Sequence, residues 1–73
     1  MEYVLIEDTG QVACRRSVDH PFFLRKDGKW HESEDFVLNQ LFKGEAKRLG
    51  EKEGRNAHFE SGDGGNPEKD LPE

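Results

Sequence analysis

Residues 3–16 read YVLIEDTGQVACRR, and this stretch decides what the chain can build. Tyr3 to Glu7 is rich in β-branched and aromatic side chains, Asp8-Thr9-Gly10 follows as a turn signal, and Gln11 to Arg16 resumes the alternation. The pattern predicts a β-hairpin. With a three-residue loop, Ile6 faces Val12, Val4 faces Cys14 and Glu2 meets Arg16, so the apolar residues gather on one side of the pair. A slip of one residue moves every side chain to the other face, which makes this register the expected one.

Working outward, Ser17 to Pro21 form a connector, because Pro21 has no N–H to donate and biases His20 toward an extended backbone. Phe22 to Arg25 and Lys29 to Glu32 then flank Lys26-Asp27-Gly28. They predict a second hairpin with a bulged three-residue turn, Leu24 opposite Trp30 and Phe22 opposite Glu32. A two-residue loop would set Arg25 against Trp30 as a cation–π pair but separate the apolar residues, so the bulged turn is preferred. Ser33 is a good N-cap, and Glu34 and Asp35 suit the first turn of a helix. Val37, Leu38, Leu41, Phe42 and Leu49 recur at helical spacing, with Lys43, Lys47 and Arg48 at the favourable end. Gly44 costs about 1 kcal/mol inside a helix, so the helix either stops near Lys43 or runs on with a defect to Leu49.

Residues 51–73 contain GDGG, two prolines and no periodicity, the composition of a segment that buries too little area to offset its ordering entropy. They read as a disordered acidic tail, the one structured option being a short strand at Ala57–Glu60 on a sheet edge. The predicted fold is therefore α+β: residues 1–50 form a small antiparallel sheet of two hairpins, about four strands, packed by one helix, and residues 51–73 follow as the tail. Charge divides the same way. The first 50 residues hold nine acids and eight bases, the rest seven acids and three bases, so most of the net −5 belongs to the tail. The acidity therefore gives no reason to read the domain as a nucleic-acid mimic.

The single Cys14 excludes an internal disulfide, and the start of the chain has neither a basic n-region nor an apolar run of signal-peptide length. No segment has the length of a membrane span, and the cytoplasm is the default address. Cys14 is the one candidate thiol nucleophile, with His20, His31 and His58 as candidate bases, but its place in the first hairpin is that of a buried structural cysteine. One cysteine and three scattered histidines match no zinc-site spacing. Asp63 to Asn66 lack the later glutamate of a calcium loop. Glu7-Asp8 and Glu34-Asp35 are explained by a turn and a helix start. The reading is a protein that is not an enzyme and carries no cofactor or metal.

Two binding readings remain. Arg15-Arg16 and Arg25-Lys26 beside Tyr3, Phe23 and Trp30 have the ingredients of a sheet that stacks single-stranded nucleic acid, which is the alternative. The preferred function is non-catalytic protein binding, as an accessory or inhibitor protein that occupies a partner surface, as a monomer or a homodimer. Tyr3, Arg15, Phe23, Arg25 and Trp30 are the expected contact residues, since exposed aromatics beside arginines make binding hot spots.

Overall fold

The computed structural model describes residues 1–60 and 66–72. The first hairpin joins β1 (Glu2–Ile6) to β2 (Val12–Arg15) through residues 7–11. The Ile6 N–H donates to the Gln11 carbonyl at 2.8 Å and the Gly10 N–H to the Ile6 carbonyl at 2.8 Å, with Gly10 at φ 78°. The pairs are Glu2 with Arg15, Tyr3 with Cys14, Val4 with Ala13 and Leu5 with Val12, one residue away from the expected register. The slip exposes nothing, because both faces of this sheet are covered. Val4, Ile6 and Ala13 go to one face, Tyr3, Val12 and Cys14 to the other, and all six are buried.

The second hairpin, β3 (Phe23–Lys26) and β4 (Lys29–Glu32), closes on Asp27-Gly28 alone, pairing Lys26 with Lys29 and Arg25 with Trp30. Asp27 at φ 55° and Gly28 at φ 76° form the left-handed two-residue turn whose twist matches that of the strands. The bulged turn is thus corrected to the tighter one. Leu24 and Trp30 are not opposite each other but join the cores on different faces.

The following helix, α1 (Glu34–Phe42), begins after Ser33, whose hydroxyl donates to the His31 carbonyl at 2.9 Å instead of capping. It ends where Gly44 takes φ 76°. The Glu45 N–H reaches the Gln40 carbonyl at 2.9 Å and the Gly44 N–H the Leu41 carbonyl at 3.1 Å, the paired bonds of a Schellman stop. The chain then forms a fifth strand, β5 (Ala46–Leu49), antiparallel to β1, with Ile6 opposite Ala46 and Tyr3 opposite Leu49. The sheet order is β4-β3-β2-β1-β5, so the four-strand count becomes five. Lys47 and Arg48 suit an edge strand, where charge discourages further pairing.

Residues 51–60 correct the expected tail. They form a helix, α2 (Glu51–Glu60), lying against β1 and β2, and Ala57–Glu60 belongs to it instead of forming a strand. A short α3 (Pro67–Asp70) follows, capped by Asn66, whose side chain accepts from the Glu68 N–H at 3.0 Å. Residues 61–65 and 73 of the expected disordered tail lie outside the described residues. What holds α2 is not an apolar stripe but close approach. Gly54, without a Cβ, rests its backbone on the Tyr3 side chain, Leu71 joins the second-face core with Tyr3, Val12, Cys14 and Phe23, and Arg55 bonds Glu68 at 3.3 Å.

On the opposite face, α1 lies against β1 and β5. Its Val37 and Leu41 pack with Val4, Ile6, Ala13, Phe22 and Ala46.

Candidate functional site

Of the five residues expected to form one contact surface, Tyr3, Phe23, Arg25 and Trp30 share the α2 face of the sheet, and the pleat, which points alternate residues of a strand to opposite faces, sets Arg15 on the other. Tyr3 is 1% exposed beneath α2, and burial raises its hydroxyl above the ordinary value of 10.0. Phe23 is buried on the same face with Cys14. Arg15 lies on the α1 face at 7% exposure. Its Nε and Nη2 each donate to the Glu2 carboxylate at 2.9 Å, and its guanidinium sits 4.3 Å over the Phe22 ring. Trp30 packs against the core that holds Tyr3 and Phe23, Arg25 lies 5.3 Å over its ring, and His58 from α2 stacks on it at 5.5 Å between centroids and 18° between planes. These contacts link the second hairpin to α2.

The Glu2 cluster predicts a pH response. The hydrogen bond from Arg15, helped by the charges of Arg15 and Arg48, holds the Glu2 carboxyl below its ordinary 4.5. A carboxyl depressed by folding stabilises the native state above its unfolded value and loses that contribution as the pH falls through the folded one. Urea midpoints measured from pH 6 down to pH 2 should therefore fall less steeply below about pH 4.5 in Glu2→Gln than in the parent chain. Equal slopes would show that the pair contributes nothing.

Of the residues that could carry chemistry, Cys14 and His20 have structural roles. Cys14 is buried and its thiol is pushed up to about 12 by desolvation, which makes it a poor nucleophile. His20 Nδ1 lies 2.8 Å from Ser17 Oγ within a turn closed by the His20 N–H to the Ser17 carbonyl. Among the described residues no three His, Cys, Asp or Glu side chains converge as metal ligands. Nor is any described helix long and apolar enough to cross a membrane.

Large apolar side chains stand exposed at Val18 (72%), at Phe59 on α2 (83%) and, as a group, on the outer side of α1. Phe42 is 91% exposed, Leu38 43% and Phe36 45%. Leu38 and Phe42 are one turn apart and form a ridge, while Phe36 lies on the other flank. Both residues belong to the apolar stripe evident in the sequence, but a nine-residue helix on a sheet buries only an arc of its surface. Val37, Gln40 and Leu41 fill that arc. Acids stand at both ends of the ridge, Glu34 and Asp35 in the first turn and Glu7, Asp8 and Glu45 beyond the last. The latter three, with Gly44, line an open depression of about 440 Å³. Such a face offers apolar area and negative charge. No family model, no curated protein and no solved structure matches this chain.

Proposed function

We propose that the protein is a non-catalytic binding module, an accessory or inhibitor protein that acts by occupying a surface on another protein, with Leu38 and Phe42 as its contact. The observation that supports this reading is the near-complete exposure of Phe42 on a chain that is 37% charged. Contiguous exposed apolar side chains mark interaction sites, and Leu38 and Phe42 stand one turn apart on the same face. Arg25 and Trp30, half-buried, offer a second, smaller contact, whereas Tyr3, Arg15 and Phe23 are buried within the fold.

Nucleic-acid binding has less support. Arg15 is engaged by Glu2, Arg16 donates to the Leu71 carbonyl at 2.6 Å, and Tyr3 and Phe23 are covered. Steep salt-dependent binding of a labelled oligothymidylate would reverse that preference.

The test is affinity capture from the native host with mass spectrometry, comparing the parent chain with Phe42→Ala and Trp30→Ala. Burying a phenylalanine stabilises a complex by about 1.5–3 kcal/mol, and each 1.4 kcal/mol is tenfold. Phe42→Ala should therefore weaken retention of the partner by about tenfold to a hundredfold with the fold intact by circular dichroism. Retention by Phe42→Ala combined with loss in Trp30→Ala would move the contact to Arg25 and Trp30.

A further inference from the structure

We infer that the partner seated on α1 is a cationic amphipathic helix, one that sets apolar side chains on the Leu38–Phe42 ridge and lysines or arginines against the acids at both of its ends. The inference rests on α1 being the contact face and adds the chemistry of what meets it. At about 100° per residue, Asp35, Leu38 and Phe42 fall within about 60° of arc, so the carboxylate and the two apolar side chains share the outward face. At the other end the Glu7 N–H donates to the Glu45 carbonyl at 3.1 Å, which fixes the β1–β2 loop beside the helix terminus and brings Glu7, Asp8 and Glu45 around one depression.

Lys43 is the one base set among these acids along the helix and its stop. No ion pair to any of the five carboxylates occurs among the described residues. The ridge is therefore flanked by unneutralised negative charge on both sides. A second copy fits this badly. An antiparallel pairing that stacks Leu38 on Phe42 of the other copy sets Asp35 near the other Glu45, and a parallel pairing sets like charge on like. Anionic membranes and nucleic acids meet the same repulsion. A convex ridge with no free backbone edge also suits a helix, whose own hydrogen bonds are complete, better than an extended strand.

The test uses a synthetic 15-residue helical peptide with leucine at one face and lysine elsewhere, and a counterpart with glutamate for lysine, each titrated into the full ¹⁵N-labelled chain. The lysine peptide should saturate, perturb the amides of residues 34–45 and 7–8, and bind about tenfold more weakly to Phe42→Ala and to the double variant Asp8→Lys with Glu45→Lys. Equal binding of the glutamate peptide would overturn the proposal, as would perturbations centred on the acids of α2 or indifference to Phe42→Ala. If neither peptide binds while Phe42→Ala still abolishes partner capture, the cationic helix is wrong and α1 remains the contact. A concentration-dependent dimer in sedimentation that Phe42→Ala abolishes would make the occupant a second copy and overturn the proposal in that direction.

Discussion

Gly54→Val should strip α2 from the sheet, lowering stability by about 3 kcal/mol. A Cβ at this position would meet the Tyr3 Cβ and Cγ at 2.3 Å and Cδ2 at 2.6 Å. Tyr3 cannot retreat, because its strand is held between β2 and β5, so the helix must move and the second-face core must open. The smaller change Gly54→Ala gives the sharper diagnosis. In an exposed helix interior that substitution stabilises by about 1 kcal/mol; here the overlap outweighs the gain and the sign reverses. Two measurements check this, urea unfolding and the rate at which Ellman's reagent labels Cys14, which is fully buried under this layer in the parent chain. Both variants should label faster. A stabilised Gly54→Ala with unchanged labelling would mean that α2 does not rest on Tyr3.

Phe22→Ala should cost about 3–5 kcal/mol, the larger part of what a chain of this length has to lose, since stability runs at about 0.05–0.15 kcal/mol per residue. Phe22 is fully buried in the α1-side core and also carries the Arg15 guanidinium on its ring. Removing it leaves a cavity between the sheet and α1 and takes away one of the two contacts that satisfy a buried arginine. Phe22→Leu keeps most of the volume and should cost about 1–1.5 kcal/mol, so the gap between the two variants measures packing. Phe42→Ala removes the same ring from an exposed site and should fall within about 0.5 kcal/mol of the parent chain. A thermal melt of the three variants checks the ranking, and a Phe22→Ala as stable as Phe42→Ala would contradict the described core.

The two hairpins and the start of α1 were legible in the sequence because alternation, the turn residues and the acidic first turn are local signals. The registers were not. Choosing between pairings from alternation assumes one wet face, and a sheet covered on both sides accepts either parity until the turns decide, as Ile6 to Gln11 and Asp27-Gly28 do. The strand at Ala46–Leu49 was hidden because Lys47 and Arg48 suit a helix C-terminus as well as a sheet edge. Gly44 did signal the stop, and its positive φ resolves the choice that composition left open. The helix at Glu51–Glu60 was missed because an absent atom at Gly54 does there what a run of leucines does elsewhere, and hydrophobicity counts cannot register an absence. For the surface, the sequence named Leu38 and Phe42 but put them inside. Five apolar positions exceed what a short helix can bury, and only the stop at Lys43 makes the surplus visible.

Leu71 has a consequence for the way the protein is made. It fills the core that also holds Tyr3, Val12, Cys14 and Phe23, so the cover that α2 lays over this side of the sheet is completed on the nascent chain only when residue 71 emerges. At about 5–20 residues per second, the interval between the emergence of Val12 and that of Leu71 is roughly 3–12 s. During that time a young polypeptide displays an incompletely covered aromatic, thiol-bearing surface to every chaperone it meets.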